Sequence, residues 1–193
     1  MRRACFFLLF LAAVQLYGGH LFAAEPRLVA DSNTAFYDGE SFRYVIPAPR
    51  LLKLITEKAA LDGYSFAFIP KNEDYDSASM VLGVNIYKIR GIRCDSVICR
   101  DTSLLREHYG DDIDIRKVDS VFAGSGEMMA TFYVDSKKRF LPNVMFSYFD
   151  GSSELLIFEL VIAPSIFRLK AEELFMTCLR NFKALRRGTL GVR

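Results

Sequence analysis

Two cysteines five positions apart, Cys94 and Cys99 in GIRCDSVICRDTSLLREHYGDD (residues 91–112), are the most chemically loaded pair in the chain. Bridged, they form a disulfide; beside a base, one becomes a nucleophile; with further ligands, they are half a zinc site. If the segment is helical from Cys94, the two Cα atoms stand about 8–9 Å apart, too far for a bridge. A bridge requires the helix to begin later, capped by Asp101 or Thr102. The apolar stripe reaches back to Cys94, so the spacing favours free thiols. Cys178 falls on the buried stripe of a later helix and reads as a core residue.

A thiol nucleophile wants a nearby base. His108 lies nine residues beyond Cys99, about two and a half helical turns away, and reads instead as a helix-end residue beside the C-terminal dipole. Zinc wants C-x₂₋₄-C or H-x₃₋₅-H spacings that this sequence lacks. AGSGE (123–127) joins two predicted strands and reads as a turn, not a nucleophile elbow or phosphate cradle. The acidic run Asp111, Asp112, Asp114 lacks the EF-hand ligand order and reads as a solvated turn. No catalytic residue, metal ligand or cofactor is assigned. One polar constellation stands out: Glu159 interrupts a strand that is otherwise apolar, Asn85 and Tyr87 share a face of another with Gly83, and Thr131 alternates with Tyr133 in a third. A buried carboxylate is costly unless partnered, so these five residues either line a shallow polar pocket that binds a small ligand or peptide or are ordinary residues of a partly solvated sheet face.

The first 24 residues have the three parts of a secretory leader: Arg2 and Arg3, an apolar run from Phe6 to Val14, and small residues at Ala23 and Ala24 after a Gly18–Gly19 break. The apolar run is short for a membrane span. Cleavage near Ala23/Ala24 leaves residues 25–193 as one domain, periplasmic or secreted, with 23 Lys+Arg against 23 Asp+Glu once the leader's two arginines leave the 25. A neutral domain has no electrostatic footprint for nucleic acid. The basic C-terminal run RNFKALRRGTLGVR offers a peripheral contact to anionic lipid, or is a solvated helix end.

The elements that must position these residues follow from periodicity. NTAFYDGESFRYVIP reads as two strands about an Asp38–Gly39 turn, with Phe42, Tyr44 and Ile46 on one face. Residues 50–63 read as a helix through Leu51, Leu52, Ile55 and Ala59, stopped by Gly63. Strands are expected at 64–70 and 80–89, a helix at 95–109, and four strands between 113 and 163. The closing helix carries Phe167, Ala171, Leu174, Phe175, Cys178, Phe182 and Leu185 on one face. Links this short demand a largely antiparallel sheet, covered by helices in an α+β layered domain. The strand at 155–163 is apolar on both alternating sets and belongs at the centre.

FRYVIPAP, the strand pair GYSFAFIPKNEDYDSASMVLGVNI and a closing helix after a strand ladder resemble the PsbP-like fold over about residues 33–186. The resemblance implies an α-β-α sandwich acting as a binding or assembly module, an exported accessory protein rather than an enzyme, and carries no functional residue over. The Phe-rich strands also suit a second role, carriage of a small apolar ligand between sheet and helix, though a dry core needs them equally.

Overall fold

A computed structural model of the chain describes residues 22–23, 33–89, 93–138, 143–163 and 168–187. The strands are β1 (Phe22–Ala23), β2 (Thr34–Asp38), β3 (Phe42–Pro47), β4 (Leu52–Ile55), β5 (Phe66–Pro70), β6 (Met80–Lys88), β7 (Ile113–Phe122), β8 (Met128–Ser136), β9 (Asn143–Asp150), β10 (Glu154–Ile162) and β11 (Lys183–Arg186). The helices are α1 (Glu57–Leu61), α2 (Cys94–Tyr109) and α3 (Arg168–Asn181). Together they make an α+β fold.

The main sheet runs β4-β5-β6-β10-β9-β8-β7, and β1 joins it on β6. A second, three-stranded sheet runs β11-β3-β2. Every pairing among the described residues is antiparallel. The two-sided apolar strand β10 lies at the centre, between β6 and β9, as its double alternation requires. Its even residues Leu156, Phe158, Leu160 and Ile162 pack under α3 and the small sheet, against Tyr44, Phe175 and Phe182. Its odd residues Leu155 and Ile157 face α2, with Val97, Ile98 and Phe146. A satellite cluster around Ala59, Tyr64 and Val81 seats α1 on that same side. Turn chemistry sets the hairpins. Gly39 N–H closes the β2–β3 turn on the Phe42 carbonyl (2.9 Å), and Asp150 Oδ1 accepts Ser152 N–H (2.9 Å), holding Ser152 left-handed at φ 68° before β10. The outermost strand β7 carries a bulge between Val118 and Val121, a common guard on an exposed edge.

Two elements differ from the periodicity. The helix expected over 50–63 survives only as α1; Leu52 to Ile55 instead form β4, because pairing with β5 buries Leu52 and Leu54 can alternate with it along the edge of the sheet. The closing helix ends at Asn181. Residues 183–186 cross to the small sheet as β11, which leaves Leu185 47% exposed rather than on a buried helix face. Phe167 lies outside the described residues. One outer layer is therefore a helix together with a small sheet.

Candidate functional site

The five predicted residues divide between the two faces of the main sheet. Gly83 of β6 pairs with Glu159 of β10, Asn85 with Ile157 and Tyr87 with Leu155, so Asn85, Tyr87 and Glu159 share the face under α1 and α2. Thr131 alternates with Met129 and Tyr133 on β8, facing the opposite layer with Met145. A single pocket lined by all five does not form. Thr131 and Ser147 satisfy each other, hydroxyl to hydroxyl at 2.8 Å across β8 and β9. Tyr133 lies beneath the Arg168 guanidinium, 4.0 Å from its ring centroid, with Arg116 at 5.4 Å. Asp135 pairs with both arginines, and Glu172 with Arg168. The Tyr133 hydroxyl is buried and has no hydrogen-bond partner among the described residues, and burial pushes it up to about 12.

On the α1/α2 face the polar groups are brought together by backbone shape. Gly63, at φ 82°, ends α1 and turns the chain so that Tyr64 N–H reaches the Ala59 carbonyl at 3.0 Å. The Tyr64 ring then lies flat on β6 at Gly83, where an added Cβ would fall 2.1 Å from Tyr64 Cε1. From there the Tyr64 hydroxyl donates to Glu159 Oε2 at 3.0 Å. Burial drives Glu159 up to about 7; the Tyr64 hydrogen bond opposes this and the Asp101 charge adds to it.

Asp101 is the residue that sequence reasoning missed. It sits on α2, four residues from Val97 and from Leu105, so helical spacing alone places it on the inward stripe. Its Oδ2 accepts the Tyr148 hydroxyl of β9 at 2.9 Å. Burial raises it to about 6, against the Tyr148 hydrogen bond and the charge of Arg100. Tyr87 is held up by burial and then by both carboxylates, Glu159 before Asp101. The face thus carries two buried acids that titrate near neutrality, each bound by one tyrosine, with Asn85 and Tyr87 alongside. Such a pair accepts hydrogen bonds or balances a cationic group; it does not by itself supply metal ligation. Among the described residues no group of three His, Cys, Asp or Glu side chains gathers to hold a metal.

Cys94 and Cys178 are placed for packing, while Cys99 is exposed. Cys94 and Cys99 both lie within α2, and with Cys178 they are free. Burial pushes the Cys178 thiol up to about 12, and burial with the Asp150, Asp95 and Asp101 charges does the same to Cys94. Thiols so protonated are poor nucleophiles. His108 is exposed in the last turn of α2, its ring edge-on to Tyr109 at 4.6 Å. The acidic turn is solvated: Asp112 pairs with Lys138 and Asp114 with Arg116. At the basic C-terminal run, Arg187 pairs with Asp38 at 3.3 Å; residues 188–193 lie outside those described. No described helix is long and apolar enough to cross a membrane.

No protein-family model matches the chain, and no curated protein matches it. Among solved structures, the solution structure of cyanobacterial PsbP (CyanoP) from Synechocystis sp. PCC 6803 is similar to it, at 16% identity and a TM-score of 0.49, over 81% of this chain and 95% of that one. The likeness is a distant one.

Proposed function

We propose that the chain is an exported accessory protein that works by binding, and that its binding face is the α1/α2 side of the main sheet. The observation that carries this reading is the co-facial group Glu159, Asn85 and Tyr87 with Asp101, a polar patch within layers otherwise apolar. Burying acids there costs stability once they ionise, and a cost retained in a core is expected where it serves recognition. The protonated thiols of Cys94 and Cys178 and the exposed His108, edge-on to Tyr109, favour binding over thiol chemistry.

A second reading has its own observation. The Tyr133 hydroxyl, unpartnered among the described residues, lies in the layer between sheet and α3, where a small apolar ligand with one hydrogen-bonding group would satisfy it. Mass spectrometry of protein purified from its native host separates the two. The expected result is a denatured mass beginning near Ala24 or Glu25, without lipid and with three free thiols, and a native-spray complex with a polypeptide. A small adduct that vanishes on denaturation moves the assignment to the carrier. A bare chain that cross-links to nothing at the α1/α2 face overturns the binding reading.

A further inference from the structure

Strand β6 pairs with β10 along its whole length, from Met80 opposite Ile162 to Lys88 opposite Glu154. On its other side β5 pairs only with Leu82, Gly83 and Val84. Where β5 gives out, Ser65 and Asn85 extend the ladder. Ser65 N–H donates to the Val84 carbonyl (3.0 Å) and to Asn85 Oδ1 (3.1 Å), and Ser65 Oγ accepts the Ile86 N–H (3.1 Å). The Ile86 N–H therefore points away from β10. Backbone groups alternate sides along a strand, so the N–H and carbonyl of Lys88 point the same way, into an edge that β5 does not cover. The next N–H, of Ile89, turns back to the Ser153 carbonyl on the β10 side at 2.9 Å, as that alternation requires.

This edge is where β1 lies, antiparallel, with Phe22 opposite Lys88 and Ala23 opposite Tyr87. These two residues are the end of the segment that reads as a leader. We infer that the β6 edge at Ile86–Lys88 is a strand-addition site, held by the leader in the precursor and taken by an extended segment of a partner polypeptide once the leader is cut. The inference rests on the export and binding reading above. Main-chain bonds to Lys88 and to the Ile86 carbonyl supply attraction without regard to sequence. Selectivity comes from the peptide residue opposite Tyr87, because cross-strand partners share a face and that face carries Asn85 and the two buried acids.

The test follows the Lys88 amide by hydrogen exchange in the full chain and in a chain begun at Glu25. A synthetic peptide of residues 18–24, GGHLFAA, is then added at millimolar concentration, intact or N-methylated at Phe22. Lys88 should exchange at least about tenfold faster in the shortened chain, slow again with the intact peptide, and stay fast with the methylated one, which lacks the N–H that faces the Lys88 carbonyl. Equal exchange in the two chains, or equal protection by the two peptides, overturns the inference. A native-host complex that leaves Lys88 unprotected removes strand addition alone and spares the binding reading. An exported chain that still carries Phe22 and Ala23 removes both the processing step and the vacated edge.

Discussion

Strand β10 carries two buried glutamates five residues apart, Glu154 and Glu159, and they sit in opposite kinds of site. Glu154 belongs to the layer of the small sheet. Its Oε1 accepts the Glu40 N–H at 2.5 Å and its Oε2 the Tyr44 hydroxyl at 3.0 Å, so one carboxylate ties the β2–β3 hairpin to the main sheet. Two glycines make the room: a Cβ on Gly39 would fall 2.7 Å from Glu154 Cδ, and one on Gly151 would fall 2.1 Å from the Tyr44 hydroxyl. Glu159, on the other face, accepts from Tyr64 and feels the charge of Asp101. The same residue type in the same strand is a structural clamp in one layer and an unstable charge in the other. What differs is the number of donors built around it.

Removing the clamp should have the largest effect. Glu154→Leu strands a buried tyrosine hydroxyl and a hairpin N–H, and is expected to lower unfolding free energy by about 4 kcal/mol, read from urea midpoints. A loss under about 1 kcal/mol would dissolve the contrast. Gly83→Ala comes next, at about 3 kcal/mol, because Tyr64 must leave β6 and its bond to Glu159 goes with it. Tyr64 fluorescence or ring chemical shifts should report the displacement; an unmoved ring would contradict the geometry.

The third prediction concerns pH. Glu159 and Asp101 have folded pKa values raised above their unfolded ones, so the native state holds more protons than the unfolded state. Their contribution is fully present below about pH 4 and is lost as pH rises through about 6 to 7, on the order of 3 kcal/mol for each acid. Glu159→Gln keeps an acceptor for Tyr64 and removes the ionisation. It should match the parent at pH 4.5, exceed it by about 3 kcal/mol at pH 8, and flatten the slope between. A variant with the parent's slope would show that Glu159 does not titrate there. The smallest effect is expected at Thr131: Thr131→Val costs about 1 kcal/mol by orphaning Ser147, and Thr131→Val with Ser147→Ala recovers most of it. Failure of the double variant to recover would place Thr131 in some other contact.

How much of this was legible follows the two periods. Period two put Asn85 and Tyr87 on one face of β6, and the apolar double set of β10 placed it centrally; that Glu159 shares the face of Asn85 comes from the β6–β10 register. The same alternation put Thr131 and Tyr133 on one face of β8, yet nothing in a single strand says which face its neighbours turn towards it; register decides that, and register is set by pairing across the sheet. Asp101 stayed hidden because RDTS reads as a polar helix start, although its spacing from Val97 and Leu105 was on the page. Glu154 sits beside a turn, where a carboxylate looks solvated. Its clamp depends on a hairpin more than a hundred residues earlier in the chain, a distance that local patterns do not reach.

The small sheet has a consequence in time. Strand β3 lies between β2 and β11, with Val45 opposite Lys183 and Phe42 opposite Arg186. Its middle strand comes from the first third of the domain and one flank from the last residues described. That sheet cannot be completed until residue 186 is available, so long-range pairing delays closure of the layer that Phe182 and Tyr44 fill. A chain built in this order keeps this layer open while it is being made, and the layer locks only when residues 183–186 have arrived.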